Sequence, residues 1–192
     1  MKFSRETYCL ISNSKVELNG KEIEIVSENN SWLNSIYYSL GIDYPKFFKM
    51  DNLSKAGFLA SELIFREINF DRTIFHKDIT IIGFNSSSSL DDDLIYQKTI
   101  SDSDNFFPSP AVFVYTLANI VLGEIAIRNK IQGETSFYVI EKYDENLIQT
   151  YLNDVFTNNY VKGILCGWID FLNGNCNVKL KYIEKTDEWR AK

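Results

Sequence analysis

The groups able to do chemistry in this 192-residue chain are few: three cysteines, one histidine, a serine run, an aspartate run and a pair of lysines. Cys9, Cys166 and Cys176 are the nucleophile candidates, since a thiolate attacks carbonyls and binds soft metals. None has an acid–base partner close in sequence, and Cys166 stands in the apolar run Leu165-Cys166-Gly167-Trp168. A thiol in that setting behaves as a small core residue. An odd, scattered set of cysteines forms no disulfide framework and suits a reducing compartment. His76, the single histidine, reads as a loop residue. Asp91, Asp92 and Asp93 lack the spacing of a calcium loop, and a hard cation needs about six oxygen ligands, so they read as a solvated acidic loop. Ser86 to Ser89 has neither the glycines nor the lysine of a phosphate loop. No metal or cofactor site is expected. Lys46 and Lys49, in Tyr44-Pro45-Lys46-Phe47-Phe48-Lys49, form a small basic spot.

The elements that must position these groups follow from apolar spacing. Val16, Leu18, Ile23 and Ile25 flank Asn19-Gly20, a hairpin signal because both turn residues tolerate positive φ. Residues 31–40 predict a short helix stopped near Gly41. In residues 51–68, Leu53, Ala56, Leu59, Ala60, Leu63 and Ile64 recur at helical spacing behind an Asp51 or Asn52 cap. Ile79 to Phe84 reads as a buried strand, and residues 85–93 as a polar loop. Residues 109–129 predict one long helix with Ser109 as cap and Pro110 in the first turn. Its apolar residues run round the whole circumference, the pattern of a buried helix. A strand at Ser136 to Ile140, a helix at 145–158, a strand at 161–168 and an alternating edge strand at 178–183 complete an α/β layered order.

Composition bounds the function. With 45% hydrophobic residues the chain has ample apolar mass for an ordered core, and its length suits one domain. The net charge of −6 argues against general nucleic-acid binding. The N-terminal residues show no signal-peptide h-region and no window reaches the roughly 18 apolar residues of a membrane span. A cytoplasmic protein with no membrane partner is expected.

The sequence between Tyr44 and Phe171 resembles the β-ketoacyl-acyl-carrier-protein synthases. Residues 109–127, SPAVFVYTLANIVLGEIAI, resemble that family's buried helix, which opens on Ser-Pro or Pro-Ser and carries an Asn, three apolar residues and a Gly. Asn119 and Gly123 have that spacing. Gly133 resembles the glycine that leads into the nucleophile strand. Lys49-Met50-Asp51 resembles the start of an earlier helix, residues 79–90 the strand and small-residue loop after it, and Leu165 to Asp170 a later strand ending in an acidic residue.

The resemblance implies a thiolase-like fold of which residues 1–192 form a single half: a βαβαβ layered sheet with a buried central helix. It also implies a cysteine nucleophile where this chain has Ile140-Glu141-Lys142-Tyr143, with Glu134 in place of the family's proline. The family's second-half histidines have no counterpart, and His76 matches none of them. No catalytic residue is therefore expected. The resemblance points to a non-catalytic partner subunit, of chain-length-factor type, in type II fatty-acid or polyketide (polyene-type) biosynthesis. Two rivals are a 3-oxoacyl-carrier-protein synthase component completed by a separate subunit, and an independent module binding an acyl chain or carrier protein. Family members are dimers paired through the nucleophile strand and the helix before it. That implies a homodimer, or a heterodimer with a ketosynthase, with Phe113, Thr116, Asn119, Ser136 and Tyr138 at the interface. Lys46 and Lys49 match the family's docking position for the acidic acyl carrier protein, against which the charge of −6 acts by long-range repulsion.

Overall fold

The computed structural model describes residues 3–26, 31–104 and 106–185. The chain opens with β1 (Phe3–Ser12), β2 (Val16–Leu18) and β3 (Lys21–Ile23). Asn19 at φ 51° and Gly20 at φ 78° form the turn between β2 and β3, as the Asn-Gly pair predicts. Then come α1 (Trp32–Ser39), a 3₁₀ turn (Pro45–Lys49) and α2 (Asn52–Glu67). They lead to β4 (Ile79–Asn85), α3 (Leu90–Ile100), α4 (Pro110–Tyr115) and α5 (Ile120–Asn129). The chain closes with β5 (Thr135–Val139), α6 (Glu145–Val155), β6 (Gly163–Leu172) and β7 (Asn175–Lys185).

All seven strands join one sheet in the order β3-β2-β1-β7-β6-β4-β5. β4 lies parallel to β5 and β6, and β7 runs antiparallel between β6 and β1. α1, α2 and α5 cover one face, where Cys9, Ile81, Leu165, Ile169 and Leu180 meet Leu59, Ile64 and Leu122. α6 covers β4 and β6 on the other, where Ile82, Phe84, Ile164 and Trp168 meet Ile148, Leu152 and Phe156. The parallel strands thus alternate apolar residues into both layers, which is why they read as continuous apolar runs.

The most deeply embedded helix is α2. Asp51 caps it, its carboxylate accepting from the backbone N–H groups of Leu53 (2.9 Å) and Ser54 (3.2 Å). Small residues let α5 cross close over it: a Cβ on Gly57 would lie 2.5 Å from Val121 Cγ2. Glu62, fully buried, receives Arg128 of α5 at 2.9 Å and Arg72 of the α2–β4 connection at 3.0 Å, with Arg66 at 3.6 Å. Arg72 also donates to Asn129 Oδ1 (2.7 Å), and the Arg128 guanidinium lies over the Tyr44 ring.

Four expectations change. The helix expected over 109–129 is two helices, broken at residues 116–119. The Thr116 hydroxyl bonds back to the Phe113 carbonyl at 2.7 Å and the Thr116 N–H to the same oxygen, which ends α4 in a tight turn. Its apolar circumference is not enclosed by the described residues: no residue of α4 is buried, and α5 buries Val121, Leu122, Glu124, Ile125 and Asn129 but leaves Ile127 exposed. The buried central helix of the layered fold is therefore α2, which passes close under α5 at Gly57 and pairs with it through Glu62. Residues 90–93, expected in a loop, begin α3, because Ser89 and three aspartates suit a helix N-terminus. β7 is not an edge strand; it pairs on both sides, and its alternation arises because the exposed face of β7 lies beyond the cover of α6.

Two glycines mark close backbone or helix approach. Gly167, at φ 151°, lies where a Cβ would sit 2.0 Å from the Lys179 carbonyl oxygen, whereas nothing lies within 4 Å of one on Gly123. Urea denaturation is expected to show Gly57→Ala destabilised by about 1–3 kcal/mol through overpacking and Gly167→Ala more strongly still. Gly123→Ala is expected to be neutral or stabilised by up to about 1 kcal/mol, as for an unhindered helical glycine.

Candidate functional site

Parallel sheets place their working residues at the carboxyl ends of the strands. Here that end is formed by Asn85 of β4, Val139 of β5 and Asp170 near the end of β6. Buried Asn85 folds the following loop on itself: its Oδ1 accepts from the Ser88 N–H (2.9 Å) and its Nδ2 donates to the Ser88 carbonyl (2.7 Å). Ser88 takes a positive φ of 52° there. Ser86 donates to Asp170 at 3.0 Å, Ser87 bonds the same carboxylate, and Ser89 donates to the Thr116 carbonyl at 2.6 Å. The serine run is a brace joining β4, β6 and the α4–α5 junction. Among the described residues none of these hydroxyls is bonded to a histidine or lysine, and the Asp170 carboxylate that Ser86 and Ser87 meet is shared between them.

The remaining chemistry-bearing groups do not converge. Cys9, Cys166 and Cys176 are buried in β1, β6 and β7, and burial pushes each thiol up to about 12. Such thiols are inert at neutral pH. His76 lies at the opposite end of the sheet, before β4, with Nε2 2.6 Å from the Asp71 carbonyl and its ring against Phe70. After β5, the Ile140 N–H donates to the Asn85 carbonyl (2.8 Å) and Tyr143 bonds Glu145, so the turn presents Glu141 and Lys142 to solvent. Among the described residues no group of three or more His, Cys, Asp or Glu side chains is arranged to hold a metal ion. No helix there is long and apolar enough to cross a membrane.

The expected carrier-docking lysines are separated in role. Lys46 Nζ lies 2.6 Å from Glu124 Oε2 and is tied to α5, while Lys49 is exposed at the end of the 3₁₀ turn. The expected interface residues fall on two features. Phe113 is exposed on α4, and Thr116 and Asn119 occupy the break before α5. Ser136 and Tyr138 belong to β5, which pairs with β4 alone and forms the sheet edge. The Tyr138 ring turns inward, stacking on Phe84 and meeting Tyr151, so β5 offers its backbone edge rather than these side chains.

The sequence reading missed α3. Leu90, Leu94 and Ile95 are exposed along it, and Phe107, tied to α3 by an N–H donated to the Thr99 carbonyl (2.9 Å), is 77% exposed. Tyr96 of α3 meets Phe113 of α4, and Val114 and Leu117, on and just after α4, are exposed as well. The Leu90–Leu94–Ile95 spacing behind a serine was the available signal. Exposed apolar side chains on three neighbouring segments are of the kind that partners cover.

α3 is anchored beneath this surface by paired carboxyls. Asp92 of its first turn meets Asp51, the cap of α2. Burial, and then the Asp51 charge, push Asp92 up to about 8, and burial raises Asp51 as well. Burial of two carboxyls side by side favours keeping one of them protonated. Tyr115 and Glu124 border it, their oxygens 3.4 Å apart.

By sequence the chain matches no protein-family model and no curated protein. By structure it is similar to the ishigamide ketosynthase/chain length factor, at 11% identity and a TM-score of 0.67, over 94% of this chain and 61% of that one. It is also similar to a chain of the ketosynthase ApeO in complex with its chain length factor ApeC from Xenorhabdus doucetiae. There the identity is 9% and the TM-score 0.60, over 96% of this chain and 79% of that one. The chain spans less than two thirds of the length of the first of these. The likeness is one of fold: the α/β sheet described above is the thiolase-like fold of ketosynthases and chain length factors.

Burial and the neighbouring Asp51 charge push Asp92 up to about 8, from an ordinary value of 3.8. Between those values the folded state holds more protons than the unfolded one, so stability falls as pH rises through the window and levels off above it. Asp92→Asn is expected to flatten that fall, as read by denaturation midpoints between about pH 5 and pH 9. A slope identical to that of the unaltered chain would count against a retained proton.

Proposed function

We propose that the chain is a non-catalytic, ketosynthase-like partner subunit that supports a catalytic ketosynthase in fatty-acid or polyketide (polyene-type) biosynthesis. The observation that carries this reading is the combination of a ketosynthase/chain-length-factor fold with a turn after β5 that reads Ile140-Glu141-Lys142-Tyr143. Claisen condensation on an enzyme-bound acyl group needs a thiolate at a strand-to-helix turn. This chain's thiols stand elsewhere, inside the sheet.

The surface supports partnership. β5 reads Thr-Ser-Phe-Tyr-Val, an edge strand with no charge, proline or bulge to guard it. A strand from a similar subunit can extend the sheet there, with α4 and the α4–α5 break beside it. In this arrangement Phe113, Thr116 and Asn119 contact the partner through side chains, and Ser136 and Tyr138 through backbone. A cytoplasmic setting and docking of an acyl carrier protein near Lys49 belong to the same reading. Lys46, neutralised by Glu124, contributes less.

Co-expression with the ketosynthases encoded beside it is expected to yield a stable one-to-one complex, which Phe113→Asp weakens. Incubation with acyl- and malonyl-carrier protein is expected to leave the chain without a covalent acyl group by intact mass, with or without that partner. An acyl thioester on any of its cysteines would overturn the non-catalytic reading and favour a synthase component completed by another subunit.

A further inference from the structure

α3 is attached to the body of the protein by a single buried side chain. Of its 11 residues only Asp92 is buried, at 5% exposure. A surface helix is ordinarily held by an apolar stripe. Leu94 and Ile95, the residues that could supply one, are exposed instead. The buried side chain is a carboxyl, and it meets a second carboxyl, that of Asp51 at the start of α2.

The hydrogen bonds show which of the two can carry charge. Asp51 accepts from the N–H groups of Leu53 and Ser54, donors that suit a carboxylate. Asp92 Oδ2 is buried with no hydrogen-bond partner among the described residues. A buried carboxylate without a donor is costly, and a second charge beside it raises the cost. A proton on Asp92 removes both costs, because the resulting O–H donates to Asp51. The surroundings offer no substitute. Lys46 is engaged by Glu124 of α5 at 2.6 Å. Lys55 of α2 is drawn by the Asp51 charge but lies over the Phe47 ring and forms no ion pair among the described residues. Asp91 and Asp93 add negative charge from α3 itself, and Lys98 lies toward the far end of that helix. Tyr115 of α4, beside Glu124, is pushed up to about 12, first by burial, and stays neutral. Asp170 of β6 is taken up by Ser86 and Ser87.

We propose that α3 is a proton-gated flap: it lies against α2 while a proton bridges Asp92 and Asp51, and it parts from α2 when both carboxyls are charged. Loss of the proton leaves two like charges where water is excluded, and like charges repel most strongly there. α3 has no buried apolar side chain to oppose them. The other tether of its first turn, the Asn173 N–H donated to Asp91 at 2.9 Å, joins exposed groups. Tyr96 rests on Phe113 of α4, a helix that buries nothing either. With Asp92 pushed up to about 8, opening belongs to mildly alkaline solution: the docked form holds the proton, so docking is complete below that value and lost above it. The flap carries the exposed Leu94 and Ile95 with it, and it operates whether or not a ketosynthase binds.

Amide hydrogen exchange of the full chain tests this, with each rate referred to the unprotected rate at the same pH. From about pH 8 to about pH 9.5 the α3 amides are expected to lose protection by about tenfold per pH unit, the slope of one released proton. The amides of β4 and β6 are expected to stay strongly protected. Asp92→Asn and Asp51→Asn are each expected to abolish the loss, since an amide at either place donates to the remaining carboxylate without titrating. The second also keeps a capping residue on α2. Two variants ensure that a folding failure of one leaves the other to decide. α3 amides unprotected at neutral pH, or equally protected at both ends of the range, would overturn the inference. So would a loss shared in full by β4 and β6, which is global unfolding, or one that both variants retain. Recovery of protection at the higher pH on adding excess Mg²⁺ or Ca²⁺ would overturn it too, making the carboxyl pair a cation site rather than a proton gate.

Discussion

A fully buried carboxylate organises one layer of this protein. Glu62 lies in the middle of α2 with no access to water, and an unpaired charge in that position would be untenable. Its partners come from three places: α2 itself, the connection to β4, and α5. Satisfying it fixes how far α5 advances over α2, and the small residues on that face of α2 make the approach possible. Ion pairs of this kind add little net stability compared with an apolar core, but losing one partner costs several kcal/mol, so they specify one arrangement. Here the specified arrangement is the seat of α5, and through α5 the position of β5 at the edge of the sheet.

The two ends of the sheet have been put to different uses. At the carboxyl end, where an enzyme of this architecture would gather its reacting groups, Asn85, the serine run and Asp170 are consumed in bonds to one another. The loop is stiff and chemically quiet. Beside it, α3 and α4 lie outside the layered body, with α3 tethered by a carboxyl pair and α4 ended by Thr116. A rigid brace under an apolar surface suits recognition better than turnover, because little ordering entropy is left to lose on contact.

The strands were legible in the sequence because parallel, doubly covered strands leave unbroken apolar runs, and β4 and β6 have them. α2 was legible as a helix from its spacing, but its depth was not, since Ser54, Gly57 and Ser61 look polar or neutral in the sequence although all three are buried. Residues 109–129 misled for the opposite reason: apolar residues on every side usually mean enclosure, and here one side is left to solvent. α3 escaped notice because three consecutive aspartates resemble a loop, although Asp92 is buried against Asp51. The place of β7 was out of reach, because alternation reports one uncovered face and not whether a strand has neighbours on both edges. Of the candidate site, the residues of β5 and α4 could be named from the family resemblance, whereas the contact of Tyr96 with Phe113 appears only once α3 and α4 are side by side.

The pairing of β1 with β7 has a consequence for how the chain is made. The first strand finds its main neighbour only in the last described one, with Cys9 opposite Leu180 and Ile11 opposite Val178. A ribosome adding about 5–20 residues per second keeps β1 waiting roughly ten to thirty seconds for that neighbour. During that interval the hairpin of β2 and β3 is its only strand partner among the described residues, and a short isolated hairpin is marginal in water. Closure of the sheet thus waits until β7 has been made, and until then one edge of β1 stays open.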